Sequence, residues 1–183
     1  MTFLYLVPTG MNNPEEPGWG SWAGRYGLHD QAAGRPYYWA NQSDKLNGTI
    51  NRDNTLLRWA ADLQNDFRAR LDWCVKPKRD GNHRPILMVN GTRSDEPVEI
   101  KVRPNGKVVL NAEGSTDPDG NALTFHWEVY PVTSTNNVRL ENSTNVTATL
   151  VNAVSDTHVV LTVRDNGKPP LAAYRRAIIR VAR

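Results

Sequence analysis

The sequence predicts a mainly β protein, an antiparallel β-sandwich preceded by an α/β segment with one long helix. Five of the six tryptophans lie in the first 73 residues. One stretch of helical periodicity ends near residue 75, and from Pro85 onward apolar and polar residues alternate in short runs. The 183 residues therefore have room for two modest domains with different architectures.

The change in composition divides the chain into three ranges. Residues 1–75 are rich in aromatic residues and glycine, residues 76–85 ("KPKRDGNHRP") have the polar composition of a linker, and residues 86–183 hold the β candidates. Within the first range, the apolar run "TFLYLVP" at residues 2–8 predicts a strand buried on both faces. The run "RPYYWA" at residues 35–40 is a second short strand candidate.

The clearest local pattern is that of an amphipathic helix over residues 54–75. Leu56, Leu63, Phe67 and Leu71 recur at helical spacing and share one face. Because an isolated helix of this length is marginal in water, we expect this face to pack against the rest of the chain. Cys74 ends the same face, so a buried thiol is expected there.

After Pro85 the hydrophobic period changes to two. In "LTFHWEV", residues 123–129, every second residue is apolar, which is typical of a strand with one buried face. Two such sheets bury their apolar faces against each other, and this predicts a sandwich. Eight runs are strand candidates: residues 85–91, 97–102, 107–114, 123–131, 138–142, 146–152, 158–165 and 175–182.

Charge and composition exclude several classes of partner. The formal net charge is only +3 and the basic residues are scattered, which argues against a nucleic-acid partner. No apolar run approaches membrane-spanning length and no secretory signal is visible, so no membrane partner is expected. A single cysteine excludes an internal disulfide.

Two turns are rich in aspartate. "GSTDPDGN" contains Asp117 and Asp119, and "RDNGKPP" contains Asp165. Aspartate in such turns hydrogen-bonds nearby backbone amides, and we expect this structural role. The alternative is a calcium site formed by the same three carboxylates, although their spacing lacks the complete loop of an EF-hand. No other cofactor is indicated.

The same turns, with the strand that bears Trp127 between them, resemble the modules of the polycystic kidney disease (PKD) type and related immunoglobulin-like bacterial modules. The resemblance covers about residues 86–183. It implies an immunoglobulin/PKD-like antiparallel β-sandwich. It does not select a function, because such modules serve as spacers, adhesins and binders alike.

The stretch "PEEPGWGSWAGRYG", residues 14–27, supplies the candidate ligand-binding residues Glu15, Glu16, Trp19, Trp22 and Tyr26. It has three interpretations: a sugar-binding platform, the rim of an active site, or a buried seam between two parts of the chain. The glycines at nearly every second position favour the seam, because they let backbones approach closely and turn rings inward.

No catalytic residue is predicted. The sequence has no GxSxG, no HExxH, no phosphate-binding glycine loop and no cysteine–histidine pairing. Glu15 with Glu16, and His29 with Asp30, are adjacent carboxylate and histidine–aspartate pairs. Adjacency in sequence provides neither shared geometry nor a tuned pKa.

Residues 3–27, 58–75 and 83–91 resemble a bacterial secreted family described as cellulose-binding proteins, which join a nucleoside-hydrolase-like domain to a C-terminal β-sandwich. The resemblance implies that residues 1–75 are the C-terminal segment of that α/β domain. It also implies a secreted or periplasmic location, an upstream nucleoside-hydrolase-like domain of the same parent protein, and a cellulose-type polysaccharide as partner.

The aspartate-rich calcium motif of nucleoside hydrolases has no counterpart in the chain. We therefore expect a non-catalytic carbohydrate-binding or structural accessory region. The alternative is a part of a nucleoside-hydrolase-like or glycoside-cleaving enzyme whose main catalytic residues lie upstream. In that case Glu15, Glu16, Trp19 and Trp22 would help to line the pocket.

Overall fold

A computed structural model of the chain describes residues 7–28, 39–131 and 138–182. The His29–Asp30 pair lies outside these ranges, as does most of the two strands predicted at residues 2–8 and 35–40. In the described part of the chain, no helix combines the length and the apolar character needed to cross a membrane.

The C-terminal part is a sandwich of two sheets. Its strands are β5 (Val98–Val102), β6 (Gly106–Asn111), β7 (Leu123–Val129), β8 (Arg139–Glu141), β9 (Thr147–Ala153), β10 (Thr157–Asp165) and β11 (Ala172–Val181). A four-stranded sheet has the order β5-β11-β10-β7, and a three-stranded sheet has the order β6-β9-β8. All pairs are antiparallel except β5 with β11, which is parallel.

The sandwich core confirms the predicted fold class. Leu123, Phe125, Trp127 and Val129 of β7 all turn toward one core, which they share with apolar residues of β6, β9, β10 and β11. The two inner faces thus bury each other, as a sandwich requires.

One of the eight predicted strands is wrong. Residues 85–91 form only isolated bridges, Ile86 with Thr116 and Val89 with Thr92. The chain reverses at Asn90 and Gly91, which both have positive φ, and a turn of this kind leaves no length for a ladder.

The four-stranded sheet is covered on both faces. In β10, Val159, Leu161 and Val163 lie in the sandwich core, while Val160 belongs to a second core on the opposite face. This second core is built with the N-terminal segment. The described residues of this segment contain one 3-10 turn (Pro17–Trp19), two pairs of short antiparallel strands and two α-helices: β1 (Tyr26–Leu28) with β2 (Trp39–Asn41), β3 (Asp44–Leu46) with β4 (Thr49–Asn51), α1 (Asn54–Leu57) and α2 (Ala60–Val75).

The predicted long helix forms, but its predicted apolar face is buried only in part: Leu63 packs against the second core, whereas Phe67 and Leu71 lie at the surface. Phe67 is 62% exposed and Leu71 is 54% exposed, and Cys74 is exposed as well. The helix buries the opposite side, where Asp62 and Ala69 are 6% and 1% exposed. Polar partners on the sandwich compensate the buried carboxylate, so the helix docks through hydrogen bonds as well as apolar contacts.

Candidate functional site

An aromatic seam joins the N-terminal segment to the sandwich. We call its cluster of buried residues the seam core; it consists of Met11, Trp22, Trp59, Tyr130, Val160 and Tyr174. The Trp59 ring meets the rings of Tyr130 and Tyr174 edge to face, with centroids 5.5 Å apart in both pairs. Aromatic pairs prefer this arrangement, so the seam is a packed interface.

A chain of hydrogen bonds links the seam core to helix α2 and strand β10. The Trp22 indole N–H donates to the Tyr174 hydroxyl at 3.3 Å, and that hydroxyl donates to Asp62 at 2.6 Å. Arg164 donates two further bonds to the same carboxylate, at 2.8 and 2.7 Å. Burial and then the charge of Asp62 raise the pKa of Tyr174, so this hydroxyl stays protonated and remains a donor.

The seam opens to the surface in a recess of about 220 Å³. The recess is lined by Trp22 and Tyr174 together with three charged side chains, Asp66, Arg70 and Arg84. Its remaining lining consists of Val7, Pro8, Thr9 and Ala172. This volume is below the usual range for drug-sized ligands, which begins at about 300 Å³, and it suits one small ring.

The chemistry of the recess suits a neutral polyhydroxylated ligand. Asp66 and Arg70 form an ion pair at 2.6 Å on the helix, and Arg84 lies 3.6 Å from Asp95. Carboxylates accept and guanidinium groups donate hydrogen bonds. The recess therefore offers an acceptor and donors to the hydroxyl groups of a ligand. The aromatic residues add apolar contact area.

A buried arginine fixes the opening stretch onto the sheet. Arg176 is 0% exposed, and its guanidinium donates to the backbone carbonyls of Met11, Trp19 and Tyr130. A Cβ at Gly10 would collide with the carbonyl oxygen of Tyr174, so glycine permits the close contact of the two backbones there.

The five predicted ligand residues do not converge on one site. Trp22 is buried and lines the recess, whereas Glu15 and Glu16 are exposed. Trp19 is half-buried, with its ring edge-on to His158 at 5.0 Å. Tyr26 is also half-buried and its hydroxyl donates to a nearby backbone carbonyl.

The three predicted calcium ligands make hydrogen bonds within the turns. Asp165 accepts from Asn82 and from the backbone amides of Gly167 and Leu171. The described residues contain no group of three or more acidic, histidine or cysteine side chains that could hold a metal ion.

The other two aspartates behave similarly. Asp119 accepts from the backbone amide of His83 at 2.6 Å, and one oxygen of Asp117 accepts from the amides of Asp119 and Asn121. Both turns therefore also tie residues 82–83 to the sandwich.

Sequence reasoning missed the residues that build the site around Trp22. Asp62 and Trp73 stand at helical spacing with Trp59. These polar and aromatic residues indicated that the helix has a second face that could pack against the rest of the chain. Arg176, inside the apolar run of β11, was another signal, because a buried strand position rarely holds an arginine without partners.

The comparisons with known proteins agree with this architecture. A family model described as cellulose-binding protein Sde0182, C-terminal domain, matches residues 107–181. A nucleoside hydrolase-related hypothetical protein from Saccharophagus degradans, associated with carbohydrate metabolism, is similar over 98% of this chain and 46% of that chain, with 29% identity and a TM-score of 0.81. The chain thus spans less than half the length of that protein.

More distant similarity is found to other β-sandwich structures. A PKD domain of human KIAA0319 gives 12% identity and a TM-score of 0.37, over 56% of this chain and 86% of that one. The structure of mouse cadherin-23 EC22-24 gives 17% identity and a TM-score of 0.40, over 55% of this chain and 33% of that one. The comparison with curated proteins gave no match. The sandwich is accordingly matched by the C-terminal domain of the Sde0182 cellulose-binding family, and the whole chain has the fold of part of a nucleoside hydrolase-related protein.

Proposed function

We propose that the chain is a non-catalytic, polysaccharide-binding accessory region of a longer extracellular protein. The observation that supports this most directly is the recess that places Trp22 and Tyr174 beside Asp66, Arg70 and Arg84. The name of the matching family, a cellulose-binding protein, supports a glucan as the polymer. A recess of this size would hold one sugar unit at a chain end or at an exposed loop of the polymer.

The opening stretch has two roles in this proposal, packing in the seam core and lining the recess. Trp22 contributes one ring to the recess, while most of that ring lies in the seam core. Binding therefore depends on rim residues that are not needed for folding. Arg84 is such a residue, since its side chain is 51% exposed.

Titration of the chain with soluble cello-oligosaccharides in a calorimeter tests the proposal. We expect Arg84→Ala to weaken binding about tenfold while the melting temperature stays unchanged, because one charge-assisted hydrogen bond is lost. Arg139→Ala is the matched control, since Arg139 is 74% exposed on β8 and outside the recess. Equal binding by Arg84→Ala and by the wild type would place the sugar site elsewhere or remove it.

The second candidate is a part of a hydrolase whose main catalytic residues lie in another domain. The similarity to a nucleoside hydrolase-related protein supports it. In either case we propose a second domain on the same polypeptide, of the nucleoside-hydrolase-like kind. Assay of the full-length polypeptide with inosine and with cello-oligosaccharides separates the candidates: we expect Glu15→Gln/Glu16→Gln to leave any release of free base or of reducing ends unchanged. Turnover that disappears in this variant would favour the enzyme.

A further inference from the structure

Helix α2 presents an apolar stripe to solvent on the side opposite the seam. Phe67, Leu71 and Val75 follow one another at intervals of four residues and are 62%, 54% and 81% exposed. Residues four apart are neighbours on a helix surface, so the three side chains form one continuous patch, which we call the outer stripe. Such patches on a folded protein mark interaction sites.

Most charges beside the outer stripe are paired within the helix. Arg70 pairs with Asp66 at 2.6 Å and Lys76 pairs with Asp72 at 3.0 Å, and opposite charges at this separation cancel at a distance. Arg68, which is exposed next to Phe67, adds one positive charge, so only a small net charge remains beside the stripe. A polyanion would gain little here, whereas an apolar protein surface would bury three large side chains.

The length of the similar structure supports a second domain of the same polypeptide as the occupant. The Saccharophagus degradans protein contains this fold in 46% of its chain, at a TM-score of 0.81. More than half of that polypeptide therefore lies outside the matched fold and is available to cover it. The inner side of α2 already packs on the sandwich through Asp62 and Arg164, which leaves the outer stripe as the free face of the helix.

We propose that the outer stripe of α2 is the docking surface for the second domain of a longer polypeptide, which lays an apolar surface over Phe67, Leu71 and Val75. This inference rests on the second domain in the proposed function. It goes further by assigning the contact to one helix face. The N-terminal segment then lies between the two domains, with the seam core against the sandwich and the outer stripe against the second domain.

The test uses the remainder of the gene's full reading frame, expressed separately and titrated with the 183-residue chain. We expect one-to-one binding that Phe67→Asp and Leu71→Asp each weaken more than about tenfold, because a buried charge replaces an apolar contact. Val109→Asp is the matched control, since Val109 is 57% exposed on β6 of the sandwich. All three variants should keep the melting temperature of the isolated chain, because the side chains are exposed.

Three outcomes would overturn the inference. They are undiminished binding by Phe67→Asp, a reading frame without any further domain, and a self-associated chain that Phe67→Asp converts to a monomer in light scattering. Cello-oligosaccharide binding is measured in the same variants. If the Phe67→Asp and Leu71→Asp variants still bind sugar but no longer bind the second domain, the outer stripe is the docking surface. If the wild type binds the second domain but no sugar, only the polysaccharide proposal is wrong.

Discussion

Single residues at the seam hold together segments that are far apart in the sequence. Arg176 is the clearest case, because its one side chain bonds carbonyls of Met11, Trp19 and Tyr130. Burial lowers the pKa of Arg176 to about 10, so the guanidinium is still charged at neutral pH. The guanidinium spreads five donors over an extended plane, whereas the three donors of a lysine ammonium sit on one nitrogen atom and cannot reach three carbonyls that lie this far apart around the group.

We expect Arg176→Lys to lower the free energy of unfolding by about 3 kcal/mol, because buried carbonyls lose their donors. Urea titration followed by circular dichroism measures this. Arg180→Lys is the control, since Arg180 is 43% exposed and its ion pairs with Glu99 and Asp156 lie at the surface. A loss below about 1 kcal/mol for Arg176→Lys, the range of a surface ion pair, would contradict this role.

His158 gives the seam a pH dependence. Burial first, and then the positive charge of Arg176, lower its pKa to about 4, whereas the unfolded chain takes up this proton near pH 6.5. The unfolded state thus binds more protons between pH 6.5 and 4, and the stability that is present above pH 6.5 falls as the pH is lowered.

We expect the free energy of unfolding to fall more steeply from pH 7 to pH 4.5 in the wild type than in His158→Gln. Urea titrations at several pH values give the two curves. Parallel curves would mean that His158 is protonated equally in the folded and unfolded chain.

At the scale of elements, α2 shows how a partner surface selects the face of a helix. The apolar positions Phe67 and Leu71 stay outside, while Asp62 is held inside by Arg164 and Tyr174. We expect Phe67→Ala to change the free energy of unfolding of the isolated chain by less than about 0.5 kcal/mol. Trp59→Ala should cost about 4 kcal/mol, since Trp59 is 2% exposed. Chemical denaturation of both variants measures the two losses of unfolding free energy. A larger loss for Phe67→Ala than for Trp59→Ala would mean that the face with Phe67 and Leu71 is buried after all.

In the two aspartate turns, backbone amides of the turn donate hydrogen bonds to the aspartate carboxylates. The Asp165 carboxylate receives amide donors from Gly167 and Leu171 as well as Asn82, so its oxygens already have partners. We expect the melting temperature to be the same in EDTA and in millimolar calcium. A rise in calcium that Asp119→Asn abolishes would instead establish a metal site, because a ligand that binds only the folded state stabilises it.

For the whole molecule, the seam packs the N-terminal segment against the sandwich, so we expect the two parts to unfold as one cooperative unit. Trp22 and Trp59 from the segment pack with Tyr130, Val160 and Tyr174 of the sandwich. We expect tryptophan fluorescence, which reports mainly on residues 1–73, and far-ultraviolet circular dichroism to give coincident unfolding transitions. Trp22→Ala should move both transitions together to lower denaturant. Two separated transitions would mean that the halves unfold independently.

Local periodicity was sufficient to predict the sandwich strands and the existence of the long helix. Alternation in "LTFHWEV" placed Trp127 in the core correctly, and helical spacing identified the long helix over residues 54–75, most of which forms α2 (Ala60–Val75). Both patterns are local consequences of the backbone period.

The buried side of α2 and the surroundings of Trp22 depend on contacts between residues that are distant in the sequence, and local periodicity does not predict them. Asp62 is compensated by Arg164 and Tyr174, which follow it by 102 and 112 residues. A local pattern records how much apolar surface an element carries, but not which surface covers it. A carboxylate that would be excluded from a purely apolar core is retained when distant strands bring it a guanidinium and a hydroxyl.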